Sequence, residues 1–186
     1  MSYSTVRKVL EHEYPKYRKH LKSLDSESKM MRFANPVSDE VIDTLCDKWE
    51  KDHENNILFC IENDDLDFIA VGHIAFQDEQ MELAFSVLKG YQHQGMGSLL
   101  MKRVIQWCRT HGSLKGCMVC LSSNAAIKHL CLKHGIHIHS EHGETLADIE
   151  LDSPNITTFI TEATDSNLAV MDYLGKRMPK FVAFKK

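Results

Sequence analysis

The chain has no apolar run approaching the roughly 18 residues a membrane span needs, and its first residues carry no signal-peptide apolar core. No repeat, low-complexity tract or domain-dividing linker is present. The net charge of −4 lacks the general basic footprint of a nucleic-acid binder. A disulfide framework is missing too. Cys46, Cys60, Cys108, Cys117, Cys120 and Cys131 mostly sit inside apolar periodic segments and read as small buried hydrophobes in a reducing compartment. These absences leave a cytoplasmic protein of 186 residues, enough for one well-packed domain, and the strands and helices read along the chain make it α+β.

What is present is organised around Met81–Met101. Met81, Leu83, Phe85 and Val87 alternate with Glu82, Ala84 and Ser86, which predicts a strand with one apolar face and one small or acidic face. A helix pattern begins near Gly97, with Leu99, Leu100, Val104, Ile105 and Cys108 at helical spacing. Between strand and helix lies Gln92-His93-Gln94-Gly95-Met96-Gly97. Two glycines opening a helix leave backbone N–H groups unpaired and unshielded where the macrodipole is positive, a site for a pyrophosphate.

Along the rest of the chain, residues 3–24 read as helical and basic, divided at Pro15. Ser28–Ala34 reads as a short strand, and Ser38 caps a helix through Lys48 with Val41, Ile42 and Leu45 inward. Ile57–Ile61 and Phe68–Phe76 form a hairpin across Asn63-Asp64-Asp65, and Gln77–Gln80 turns into the central strand. Cys117–Leu121 is a buried strand, Asn124 opens a helix that Gly135 stops, and Ile136–His139 pairs with Thr145–Leu151. Asp152-Ser153-Pro154 starts a C-terminal helix with Ile156, Phe159, Ile160, Ala163, Met171 and Leu174 along one stripe. That helix either covers the core or forms a homodimer face.

This order of elements resembles the GNAT superfamily of acyl-CoA N-acyltransferases. Its Q/R-x-x-G-x-G/A hallmark is met by Gln92, Gly95 and Gly97, and its Asn-opened, Gly-ended helix by Asn124 and Gly135-Ile136. The resemblance covers roughly residues 29–151, leaving 1–28 and 152–186 as helical extensions. The chain is also similar to the bacterial protein-lysine acetyltransferases of the Pat type, through Arg32-Phe33, placed near the first strand, and through Glu82, Ala84 and Val87. The likeness implies a mixed, mostly antiparallel sheet flanked by helices, with acetyl-CoA as cosubstrate and a primary amine, a protein lysine or a small amine, as acceptor. It implies Glu82 as general base, the N–H of Val87 or Leu88 as oxyanion donor and pantetheine partner, Gln92, His93, Gln94, Gly95, Met96, Gly97 and Ser98 around the pyrophosphate, and Asn124 on the pantetheine arm. Many relatives carry a Tyr general acid where Cys131 stands.

Acyl transfer needs an amine that has lost its proton, an oxyanion donor and a departing thiolate. Glu82 suits the first of these, with small Ala84 and Ser86 beside it; the alternative is an edge carboxylate in a structural ion pair. Asn124 is equally a helix cap. Cys117 and Cys120 have zinc-like spacing, but residues three apart on a strand face opposite ways and no second pair completes a site, so no metal is expected. His129, His134, His137, His139 and His142 read as surface histidines, alternatively lining the acceptor entrance, and His93 as a neighbour of coenzyme A. Two other readings stand beside the enzyme. One is a non-catalytic acyl-CoA-binding module. The other is a nucleotide-binding protein, disfavoured because no Lys-Ser/Thr follows the glycines.

Overall fold

A computed structural model of the chain describes residues 5–77, 80–141 and 144–177. Seven strands form one sheet: β1 (Arg7–Lys8), β2 (Asn56–Glu62), β3 (Phe68–Gln77), β4 (Gln80–Val87), β5 (Lys115–Leu121), β6 (His137–Glu141) and β7 (Glu144–Glu150). Their order is β1-β2-β3-β4-β5-β7-β6, and every pairing is antiparallel except β4 with β5. Six helices flank it: α1 (Tyr14–Lys22), α2 (Ser26–Phe33), α3 (Asp39–Lys51), α4 (Met96–Thr110), α5 (Ala125–Lys133) and α6 (Ile156–Arg177). Among the described residues no helix is long and apolar enough to cross a membrane.

The sheet separates two cores. On one face Phe59, Ile61, Ile74, Met81 and Leu83 pack against Leu100, Met101, Val104 and Cys108 of α4 and Ile127 and Cys131 of α5. On the other, Leu58, Cys60 and Val71 meet Tyr14, Tyr17 and Leu21 of α1 and Ile42 and Cys46 of α3. Strand β2 serves both cores and is buried along its whole length, which is why it reads as a continuous apolar run.

Four local expectations are corrected. Residues 28–34 are not a strand: they belong to α2, capped where Asp25 Oδ1 accepts from the Ser28 N–H at 2.7 Å and ended by Ala34 at φ 56°. Arg32 and Phe33 therefore lie on a helix, not beside a first strand. Residues 3–24 are not helical throughout, since Arg7–Lys8 joins the sheet edge. Pro15 opens α1, where a missing N–H costs nothing, instead of dividing a helix. Val41 of α3 faces solvent, while Ile42 is fully buried as expected. The expected turn at Gln77–Gln80 includes residues 78 and 79, outside the described ones, as does His142.

The second core contains buried polar groups with defined partners. His20 is 2% exposed. Its Nδ1–H donates to the Phe68 carbonyl at 2.9 Å, so its Nε2 is the acceptor for the Ser86 hydroxyl, also at 2.9 Å. Arg32 Nη2 donates to His73 Nδ1 at 3.3 Å, leaving His73 Nε2–H to donate to Asn56 Oδ1 at 3.1 Å. Both imidazoles are thus held neutral. Burial pushes His20 down to about 4, and burial plus the Arg32 charge pushes His73 well below the usual range. The unfolded chain takes up these protons near 6.5. The stabilisation is therefore complete above about pH 6.5 and drains away as pH falls toward 4. The urea midpoint should fall steadily over that interval, and His20→Asn should flatten the fall; a midpoint constant from pH 7 to 5 would contradict the assignment.

Candidate active site

The site begins where two strands stop pairing. Strands β4 and β5 are joined only through Met81↔Gly116 and Glu82↔Cys117. Beyond that β4 runs on to Val87 and β5 to Leu121 with no register between them. The root of the gap is tight: a Cβ at Gly116 would collide with the Met81 side chain and carbonyl, so only glycine allows this approach. Higher up, the Leu88 N–H donates to the Ile69 carbonyl of β3 at 2.9 Å. Alternation along the strand turns the Val87 N–H the other way, into the gap. Of the two residues expected as oxyanion donors, Val87 presents its amide there and Leu88 has spent its own on β3.

The loop above the gap is bent by His93 at φ 60° and Gly95 at φ 82°, both left-handed. Gly95 occupies the cap position of α4 with no side chain bonded over it, so the first amides of α4, from Met96, Gly97 and Ser98, point outward at the positive end of the helix. Gly97 matters for packing instead. A Cβ there would stand 3.1 Å from Leu130 Cδ1, so its absence lets α5 close on α4. The Ser98 hydroxyl is 3.2 Å from His134 Nε2. Burial, then the charges of Lys133 and Lys102, lower the pKa of His134. Gln94 is exposed and bonds back to the Gly90 carbonyl at 3.2 Å.

Gln92 does not extend toward solvent. Its Nε2 donates to the Val87 carbonyl at 3.1 Å and to Ser28 Oγ at 3.2 Å, tying the loop to the end of β4 and to α2. Asn124 makes a parallel link. Its Oδ1 caps α5 by accepting from the Ile127 N–H at 3.1 Å, and its Nδ2 donates to the Met31 carbonyl of α2 at 3.4 Å. Helix α2 therefore fastens to both sides of the gap. Ser28 and Met31 were missed because their segment reads as a strand; the Asp25 cap was the overlooked signal.

Glu82 lies at the foot of the gap, half-buried, on the sheet face it shares with Ala84, Ser86 and His73. Among the described residues no side chain hydrogen-bonds or ion-pairs with it. Cross-strand register continues the row through Cys117 to Asp148 and His137. Burial, then the carboxylates of Glu82 and Asp148, raise the Cys117 thiol. This half of the face is open: Val119 and Leu146 are exposed, and exposed His139 pairs with Asp148 at 3.5 Å. His137 and His139 share that face, while Cys117 and Cys120 lie on opposite faces. Among the described residues no group of three or more His, Cys, Asp or Glu is placed to hold a metal ion. Cys131 is fully buried in the first core, and burial pushes its thiol up to about 11.

The sequence profile of the acetyltransferase (GNAT) family matches residues 18–136. The chain belongs to the GNAT family. Solved structures agree in fold. The GNAT domain of Streptomyces lividans Pat is 18% identical at a TM-score of 0.65, with 78% of this chain and 89% of that one covered. YncA of Salmonella typhimurium, solved with its cofactor acetyl-CoA, is 16% identical at 0.64, covering 83% and 99%. The PaiA N-acetyltransferase of Thermoplasma acidophilum, solved with coenzyme A, is 14% identical at 0.59, covering 81% and 99%. At these identities the likeness is one of fold and does not single out the Pat type. A search of curated proteins returns no match.

In this GNAT sheet the root of the gap is the least forgiving position. Gly116→Ala should cost roughly 3 kcal/mol or more, because backbone as well as side chain must move. Gly90→Ala, whose Cβ would meet nothing within 4 Å, should stay within about 0.5 kcal/mol. Urea unfolding of the two variants makes the comparison.

Proposed function

We propose that this GNAT protein moves an acetyl group from acetyl-CoA to a primary amine by direct attack in a ternary complex. The observation carrying the proposal is Glu82, a carboxylate without a structural partner among the described residues, at the foot of the β4–β5 gap. The ligands of the YncA and PaiA structures support acetyl-CoA as the occupant. The residues present fit it: amides from His93 to Ser98 take the pyrophosphate, while the Gln92 amide donates to the Lys89 carbonyl. Asn124 bonds the pantetheine arm and the Val87 N–H donates to the thioester carbonyl.

An ammonium acceptor, with a pKa of about 10.4 when free, must first lose a proton. Glu82 takes it directly or through one water. The nitrogen then bonds the acetyl carbon, the carbon–sulfur bond breaks and coenzyme A leaves as thiolate. Buried Cys131 is no proton donor for that thiolate, so it departs unaided or is protonated by water. The open face of β5, β7 and β6 suits a lysine presented from a protein surface. One unbroken sheet from β1 to β6 supports reading the chain as a single domain. Free cysteines, five of them buried, suit a reducing cytoplasm.

A second reading, a non-catalytic acyl-CoA-binding module, is favoured by the burial of Cys131 where many relatives hold a Tyr acid. Two measurements separate them. Acetyl-CoA at about 100 times its Kd should add about 2.7 kcal/mol and raise Tm by roughly 5 to 10 °C, with ATP giving no shift. No shift with saturating acetyl-CoA would remove the loop assignment. Glu82→Gln should keep that shift, lower kcat about 10²- to 10⁴-fold and lose the acidic limb of the pH–rate profile. Full kcat/KM in this variant would take Glu82 out of the mechanism, and absence of turnover with all amine acceptors would favour the binding module.

A further inference from the structure

Helix α6 is amphipathic but mounted with its polar side inward. Glu162 and Ser166 meet Arg103 of α4, the latter at 2.9 Å. Asp172 accepts from Thr5 at 2.5 Å and pairs with Lys176 at 2.7 Å, while Lys176 Nζ reaches the Glu62 carbonyl at 3.3 Å. Tyr173 lies under the Arg7 guanidinium, which is 4.3 Å from its ring centre. The helix is thus held to the domain largely by polar and charged contacts. Its apolar side faces out: Ile156 is 80% exposed, Ile160 62% and Met171 69%, and Phe159, Leu168, Val170 and Leu174 are at least half exposed.

Two features of this face select its occupant. Ile156, Ile160, Ala163, Asn167, Val170 and Leu174 recur at intervals of four and three residues, the repeat by which one helix packs along another, with a single Asn inside the seam. The face is also free of formal charge: from Ile156 to Gly175 every charged residue of α6, namely Glu162, Asp165 and Asp172, lies off the exposed side. In a twofold interface each patch meets its own copy, so a charge close to the axis would meet its like. A charge-free stripe with this repeat is complementary to itself. A membrane surface would instead call for Lys or Arg along the flanks, and none stands there before Lys176 and Arg177. From Ile156 to Leu174 the stripe is about 27 Å long and, at one helix width of about 10 Å, presents roughly 270 Å². Patches of that size on monomers are often functional.

We infer that α6 docks a second copy of this chain, its outward stripe packing on the same stripe of the partner across a twofold axis. Light scattering and sedimentation of the full chain should give twice the single-chain mass, and Tm should rise with protein concentration. Ile160→Glu and Val170→Glu, both on the exposed stripe, should each raise the dimer dissociation constant roughly hundredfold while leaving the circular dichroism spectrum unchanged. Val41→Glu, at an exposed apolar residue of α3 across the sheet from α4, should leave the dimer intact. Single-chain mass at every concentration would overturn the inference, as would a double mass that survives both stripe variants. Binding of a monomer to phosphatidylcholine vesicles through the stripe would overturn it equally.

Discussion

The parting of β4 from β5 after Glu82↔Cys117 is the constraint on which the site depends. Two parallel strands that continued in register would satisfy each other's amides and leave no slot. Here Gly116 brings the strands into closest contact at one point, and the backbone beyond it diverges. The Val87 amide is thereby left for a ligand, Glu82 is placed at the slot's foot, and the α4 N-terminus stands above it. Helix α2 then spans the opening through Ser28 and the Met31 carbonyl. Gln92 and Asn124 therefore hold the walls of the slot in position in addition to any contact they make inside it.

The two halves of the sheet are finished differently on the face that carries Glu82. Over β2, β3 and the end of β4, α1 and α3 close a second core, and the two imidazoles trapped there are neutral and paired. The His20–Ser86 and His73–Arg32 contacts satisfy groups whose burial unpaired would cost about 1–3 kcal/mol each. Over β5, β7 and β6 the face is open, with Val119, Leu146 and Asp148 at the surface. The boundary between closed and open halves runs beside Glu82. Buried Cys131 belongs to the packing of the opposite face.

Much of this was legible in the chain because the signals are local. Alternation over residues 81–87, the glycine loop, the caps at Ser38 and Asn124 and the stop at Gly135 all depend on near neighbours, and each stands where expected. The misread segments are those whose patterns are locally ambiguous. Helix α2 has no fully buried residue, so its Met30, Met31 and Phe33 carry no clean helical stripe. Arg7–Lys8 is a two-residue edge strand, too short for alternation to show. Pro15 is compatible with a kink or a first turn, and only the chain before it decides which.

By itself, the sequence determined the strand and the helix on either side of the glycine loop, because spacing along one strand or helix dictates which groups share a face; the roles of Glu82, Gln92, Gly95, Gly97 and Asn124 are those the family resemblance implies. Tertiary structure decided what lies across from them. It removed Leu88 as a donor by pairing it with Ile69, gave Glu82 no partner among the described residues, drew α2 over the slot and turned the apolar side of α6 outward. These outcomes depend on contacts between residues distant in sequence, where no periodicity records which face of an amphipathic helix meets its own domain.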